Sequence, residues 1–143
     1  MDYAALKTEI TTDPKALGYA PYVASGSDGS IADLLNAMGT DVITIPDYTK
    51  EQFSTGIIPA VLALATASTA LQSKWDRLLS MTLAQSVIHY SVAAPLLSIL
   101  VSDGLITQSQ IDAFTKRPGS RAEVLFGAGT VISWEDVAKS EGR

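Results

Sequence analysis

The chain has 143 residues, of which 47% are hydrophobic and 17% charged, and its formal net charge at pH 7 is −5. This length predicts a single α-helical domain, residues 1–143, with one hydrophobic core, and the apolar content excludes intrinsic disorder. Ten scattered basic residues in an acidic chain argue against direct nucleic-acid binding, which needs clustered Lys and Arg. Without cysteine there can be no disulfide, thiolate nucleophile or sulfur-ligated zinc.

The apolar content also bears on partners and targeting. A mean hydropathy of +0.22 is high for a small soluble monomer and predicts surface that is buried against a partner. The first ten residues, MDYAALKTEI, carry an early acid and no basic region followed by an apolar run. A secretory signal is therefore not predicted at this end.

The N-terminal part of the chain predicts two helices separated by a turn. The first helix begins after Asp2, a suitable N-cap, and ends at Asp13-Pro14, because a residue before proline is pushed out of the α region. A Ser-Gly-Ser-Asp-Gly run at residues 25–29 predicts a turn. Ser30 is then expected to cap a second helix that runs to Met38.

A short β element is predicted next. Residues 42–45 form a β-branched run that Pro46 closes, which is the best strand signal in the chain. Residues 130–132 are the second extended stretch, so we predict a minimal two-stranded β-ribbon that pairs these two segments. Directly after the first strand, Thr49 is expected to open a helix with Gln52 as its capping-box partner.

The middle of the chain predicts helices around a long uncharged run. No Asp, Glu, Lys or Arg lies between Arg77 and Asp103, a length that could cross a bilayer of about 30 Å. Several hydroxyl and amide side chains and Pro95 interrupt the run, which favours a helix buried in protein over one buried in lipid. No membrane association is predicted. Thr107 with Gln110 forms a capping box for the helix that follows.

The stretch RPGSRAEVLFGAGTVISWEDVAKS, residues 117–140, combines a charged patch with a glycine pair and so resembles a ligand site. Its spacing instead indicates helix ends. Ser120 with Glu123 forms a capping box, Gly127 occupies a left-handed C-cap position, and Ser133 with Asp136 caps the last helix. The predicted fold is therefore mainly α, with about six helices and the small β-ribbon.

No catalytic, cofactor or metal site is predicted. His89 is the only histidine and has no acid within a helical turn, so we interpret it as a core or interface residue bonded to a hydroxyl or carbonyl group. One histidine without cysteine or an Asp-rich loop provides no zinc or calcium site. The Asp28-Gly29 pair before Ser30 could present backbone N–H groups to an anion, but we interpret it as a turn and cap.

Aromatic side chains are the candidate contacts to a partner. They are too scattered to form a platform for stacked bases. Tyr22, Tyr48 and Trp134 lie in or beside segments predicted to be irregular. Because aromatic anchors dominate interface energetics, we predict these three as partner contacts.

Three blocks resemble an uncharacterised family of small proteins of tailed bacteriophages, often of siphovirus type. They are LKTEITTDPKALGYAP (residues 6–21), IADLLN (31–36) and SRAEVLFGAGTVISWEDVA (120–138), with a variable middle between them. These motifs are helix caps and turns, and no catalytic residue can be carried over from the family. The resemblance implies a protein of the phage particle or its assembly: neck or head–tail connection, capsid decoration or tail.

These observations lead to one predicted function and two alternatives. The first is a non-enzymatic virion structural or assembly protein, made in the host bacterial cytoplasm, that contacts other phage structural proteins and forms a homo-oligomer or symmetric array. The second is an intracellular phage accessory protein that binds and inhibits a host or defence protein. The third is a small enzyme or ligand carrier.

Overall fold

The computed structural model describes all 143 residues, which form ten helices and four short strands. The helices are α1 (Tyr3–Thr12), α2 (Ala20–Ser25), α3 (Asp28–Asn36), α4 (Lys50–Gly56), α5 (Ile58–Leu64), α6 (Thr69–Leu83), α7 (Tyr90–Ser102), α8 (Gln108–Thr115), α9 (Arg121–Phe126) and α10 (Trp134–Glu141). The strands are β1 (Asp41–Thr44), β2 (Asp47–Thr49), β3 (Val87–His89) and β4 (Lys116–Gly119). The mainly α prediction is confirmed.

The predicted number of six helices is wrong, because several helices are only six or seven residues long. α2 and α9 have six residues each, and α4 and α5 have seven. Each short helix has its own end signal; for example, Gly56 closes α4, and Pro59 lies in the first turn of α5. The start of α3 also differs from the prediction, since this helix begins at Asp28 and Ser30 lies inside it.

The predicted β-ribbon has the right first strand and the wrong partner. β1 pairs with β4, and β2 pairs with β3 in an antiparallel register that places Asp47 opposite His89. Residues 130–132 form no strand. The side chain of Asn36 makes the hydrogen bonds that a neighbouring strand would make: its Nδ2 donates to the carbonyl of Ile132 (2.7 Å), and its Oδ1 accepts from the amide of Ile132 (2.9 Å).

The chain divides into two compact units, unit 1 (Met1–Ile43 and Pro118–Arg143) and unit 2 (Thr44–Arg117). Each unit contains its own cluster of buried apolar side chains, where the length suggested one core. The two ends of the chain bury their apolar residues together, and the continuous middle segment buries its own. That residues 1–143 form a single domain stays a prediction.

Unit 1 joins both ends of the chain through buried apolar residues and a few polar contacts. Leu6, Ile31 and Leu35 are fully buried, and Val137 from α10 joins their cluster. Across this unit, Arg121 makes a two-bond ion pair with Glu9, at 2.8 Å from Nε to Oε1 and 2.7 Å from Nη2 to Oε2. These two hydrogen bonds are charge-assisted and hold α9 against α1.

Unit 2 is built around aromatic side chains. Tyr48, Phe53 and Phe114 are mutually in contact, with ring centroids 6.2 to 6.3 Å apart. Trp75 is fully buried, and its indole N–H donates to Asp103 at 2.9 Å. Hydrogen bonds from Lys74 and Trp75 hold the pKa of Asp103 below its ordinary value.

The uncharged run before Asp103 is not one helix. α6 ends at Leu83, the chain passes through β3, and α7 contains Pro95. No helix in the chain combines the length and apolarity that a bilayer crossing requires.

Candidate protein-binding surface

The three aromatic residues predicted as partner contacts lie in different environments. Trp134 is 60% exposed and Tyr22 is 38% exposed, so both rings are accessible in unit 1. Tyr48 is only 2% exposed and its hydroxyl donates to the carbonyl of Ile45 at 2.8 Å. Its burial raises its pKa to about 12. Tyr48 is therefore a core residue in this structure, because β2 turns it inward while its neighbours face solvent.

His89 also differs from its predicted environment. It is exposed, and its Nδ1 lies 2.5 Å from Oδ1 of Asp47, which the β2–β3 register places directly opposite. Asp47, which orients the ring, is therefore distant from His89 in the sequence. The prediction considered only acids within one helical turn of His89 and so missed this contact. An acid on Nδ1 is one part of a catalytic triad, but no hydroxyl group hydrogen-bonds to this ring.

In the stretch at residues 117–140, the caps predicted at Ser120 and Ser133 are confirmed, whereas residues 117–119 belong to β4. Ser120 and Glu123 form the predicted capping box, in which Glu123 Oε2 accepts from the Ser120 amide at 3.1 Å. The other oxygen of Glu123 accepts from the amide of Gly129 at 2.8 Å and so secures the glycine turn. Gly127 has the expected positive φ, 101°, but its ψ of 156° is not left-handed helical. That backbone region is essentially restricted to glycine.

No group of three or more acidic, His or Cys side chains lies close enough together to hold a metal ion. The Asp28-Gly29 pair is not a free turn, because Asp28 begins α3 and its carboxylate pairs with Arg143. In the C-terminal stretch, Arg121 and Glu123 are likewise bonded within the chain. Besides the exposed rings of Trp134 and Tyr22 in unit 1, two apolar features of unit 2 are open to a partner, a groove and a helix face.

A groove with a volume of about 640 Å³ lies between α4 and α8. Its floor is apolar and its rim carries amide, hydroxyl and carboxylate groups. The residues that line it are Ile45, Tyr48, Glu51, Gln52, Thr55, Gly56, Pro59, Gln110, Ala113 and Phe114. We call it the α4–α8 groove. Its size is in the range of sites that hold small ligands or the side chains of another protein.

Two equivalent helix starts shape the rim of the α4–α8 groove. α4 and α8 both begin with the predicted Thr-x-x-Gln capping box. In each, the glutamine Oε1 accepts from the threonine amide at 2.9 Å, for Gln52 from Thr49 and for Gln110 from Thr107. The Nε2 group of each glutamine has no hydrogen bond to the chain. The groove therefore has two amide donors available on its rim.

The floor of the groove depends on a glycine. A Cβ atom added to Gly56 would lie 2.4 Å from ring atoms of Phe114, well inside van der Waals contact. Because Gly56 has no side chain, the ring of Phe114 can lie directly against α4. Phe114 is itself only half-buried, so one side of the ring faces the groove.

α5 follows the groove and is apolar on all sides. Its sequence is IPAVLAL, and Ala60 and Leu64 face the core of unit 2. On the opposite side, Ile58, Val61 and Leu62 are 49%, 47% and 66% exposed. These three side chains, which we call the α5 ridge, follow the i, i+3, i+4 spacing of one helix face. A helix that is hydrophobic all round is normally buried.

The α5 ridge was not singled out from the sequence, although a signal for it exists. Residues 52–73 contain no Asp, Glu, Lys, Arg or His. The uncharged run after Arg77, residues 78–102, is longer and therefore gives a stronger signal in the sequence. Residues 52–73 differ because α5, which lies within them, has apolar residues on every side, and one side of so short a helix cannot pack against the core. This excess can be recognised only when the ends of the helix are known.

No protein-family model, curated protein or solved structure matches this chain.

Proposed function

We propose that this chain is a non-enzymatic structural or assembly protein of a tailed bacteriophage particle and that it acts through protein–protein contacts. The observation that carries the proposal is the α5 ridge, three aliphatic side chains in water on a helix without a polar face. Burial of one such side chain contributes about 1.5 to 3 kcal/mol when it is complete. A partner that covers the ridge would therefore gain a substantial part of its binding free energy there.

The phage context of the proposal is supported by the sequence resemblance. The three blocks that carry it, residues 6–21, 31–36 and 120–138, all belong to unit 1. Their contacts link the two ends of the chain: Glu9 in the first block bonds to Arg121 in the third, and Asn36 in the second bonds to Ile132 in the third. Blocks that are distant in sequence thus form one structural unit, as expected for a shared family core.

The resulting role is that of a subunit held between neighbours. Unit 1 would supply the family framework, and unit 2 would supply the contact surface. Neck, head–tail connection, capsid decoration and tail positions all require repeated contacts with other phage structural proteins or with further copies. The accessible rings of Trp134 and Tyr22 in unit 1 are the further contacts that this proposal uses.

Mass spectrometry of purified particles of the encoding phage tests the proposal. We expect peptides of this chain at an abundance comparable with that of the other structural proteins of the particle. A non-structural protein of the same phage is the control for contamination. Absence of the chain at any stoichiometric level would contradict the proposal, and co-purification with one host protein instead would favour the accessory-protein alternative.

A further inference from the structure

We propose that the α5 ridge of one copy of this chain docks into the α4–α8 groove of a second copy, and that unit 2 is thereby a reciprocal homodimer interface. The inference rests on the proposed function because it identifies the partner of the same ridge. It makes a separate claim, however, about the purified chain in the absence of any particle.

The first argument is that both halves of the contact are present in one unit. The groove is concave and has an apolar floor that includes Ile45 and Phe114. The ridge is convex and aliphatic, and it begins next to the groove, since Pro59 lines the groove and Ile58 starts the ridge. In a twofold dimer, a surface that contains both features meets itself, so each ridge fills the partner's groove.

The second argument is electrostatic. Two copies of a chain with net charge −5 repel each other, so a contact between copies is favoured where the surface has no charge. Residues 52–73, which include the whole ridge, contain no charged side chain. Glu51 is the only charged residue that lines the groove. A groove that binds a basic partner would be expected to have several acidic residues, and this groove has only Glu51.

The third argument concerns the polar rim. The Nε2 groups of Gln52 and Gln110 have no hydrogen bond to the chain, and their Oε1 atoms are already used in the capping boxes. Such donors can bond to backbone or hydroxyl oxygens of an incoming segment without the cost of burying a charge. They are suited to orient a neutral helix such as α5 across an apolar floor.

Analytical ultracentrifugation of the purified chain over a wide concentration range is the first test. We expect a monomer–dimer equilibrium that Leu62→Glu weakens at least about tenfold. Met81→Glu is the matched control, because Met81 and Leu62 are both 66% exposed in unit 2, and both variants add one negative charge. Circular dichroism verifies that both variants fold.

Disulfide cross-linking is the second test, and the lack of native cysteine makes it direct. A chain with Thr55→Cys, in the groove, is mixed with a chain with Leu62→Cys, on the ridge. We expect the mixed disulfide dimer to form, and to form much less when Met81→Cys replaces Leu62→Cys. This test does not depend on the tolerance of a charge at the interface.

A wild-type chain that sediments as a monomer at every concentration overturns the inference, even if Leu62→Glu abolishes binding to another protein. Equal dimerisation of both Glu variants, or equal cross-linking from residues 62 and 81, overturns it as well. A monomeric chain that is found in particles leaves the proposed function standing. A dimeric chain that is absent from particles contradicts the proposed function alone.

Discussion

In unit 1, segments from opposite ends of the chain are joined by specific polar contacts, whereas unit 2 is a continuous segment held by aromatic and aliphatic packing. Arg121 with Glu9, and Asn36 with the backbone of Ile132, each link residues about a hundred positions apart. Unit 2 packs Tyr48, Phe53 and Phe114 together and leaves the α5 ridge in water. The difference teaches that the two ends of unit 1 depend on individual polar contacts, while unit 2 contains a helix, α5, that is apolar on every side.

The largest effect is expected from breaking the ion pair of unit 1. Arg121→Leu leaves Glu9, which is 4% exposed, without its cationic partner, and should lower the free energy of unfolding by about 3 to 5 kcal/mol. Urea unfolding followed by circular dichroism measures the loss. The double variant with Glu9→Leu should recover part of it, because Glu9 is then no longer a buried unpaired charge, and Asp41, the second partner of Arg121 at 3.5 Å, keeps its contact with Lys15 at 2.8 Å.

An exposed pair in unit 2 is the control for this prediction. Lys116 and Asp112 form an i, i+4 contact at 2.9 Å, with both side chains substantially in water. Lys116→Leu should change the free energy of unfolding by less than about 1 kcal/mol. If Arg121→Leu and Lys116→Leu cost the same, the contrast between the two units in their dependence on charge fails.

A smaller effect is expected from filling the close contact in unit 2. Gly56→Ala puts a methyl group 2.4 Å from the ring of Phe114 and should cost about 1 to 3 kcal/mol through overpacking. The cost should shrink in a Phe114→Leu background, and a double-mutant cycle measures this coupling. Gly29→Ala in α3, where a Cβ meets nothing within 4 Å, should instead be neutral or stabilising. An equal cost in both backgrounds would mean that the ring does not lie against Gly56.

A comparable effect is expected from the backbone at the end of α9. Gly127→Asn should lower the free energy of unfolding by about 1 to 3 kcal/mol, because φ of 101° with ψ of 156° is a region that asparagine does not tolerate. Gly142 caps α10 at φ 80° and ψ 28°, a left-handed conformation that asparagine accepts. Thermal unfolding of Gly142→Asn should therefore resemble that of wild type. If the two variants behave alike, Gly127 is an ordinary left-handed cap.

The smallest effect concerns the hydroxyl of Tyr48 in unit 2. Tyr48→Phe should cost about 1 kcal/mol at neutral pH, since it removes the hydrogen bond to Ile45. Burial raises the pKa of Tyr48 from 10.0 to about 12, so the neutral phenol stabilises the fold below pH 10, and that contribution is lost as the pH rises toward 12. Unfolding measured from pH 9 to 12 should show the advantage of wild type over the variant shrinking. A constant difference would contradict the burial of Tyr48.

Much of the local structure could be predicted from the sequence because it depends on residues three positions apart. The helix caps expected at Thr49, Thr107, Ser120 and Ser133 are all present, and each one is a capping box. Each one satisfies backbone amides of its own helix, so no distant residue is involved. The cap predicted at Ser30 is wrong, because α3 already begins at Asp28 and Ser30 lies in its first turn.

The contacts between distant segments could not be predicted in this way. The partner of β1, the Asp47–His89 pair and the Asn36–Ile132 bonds all depend on which segments meet in space. Strand signals indicate an extended segment but leave its partner open. The groove was hidden for the same reason, since its two walls, at α4 and α8, come from separate parts of the chain.

Hydrogen exchange of the intact chain at increasing concentrations tests most directly whether another molecule covers the α5 ridge. We predict that amides of Ile58–Leu64 become more protected as the concentration rises, because docking suppresses local opening of this helix. Amides around Met81, which is equally exposed in the same unit, should not change. Exchange in Ile58–Leu64 that is the same at every concentration would contradict a ridge buried between copies of the chain.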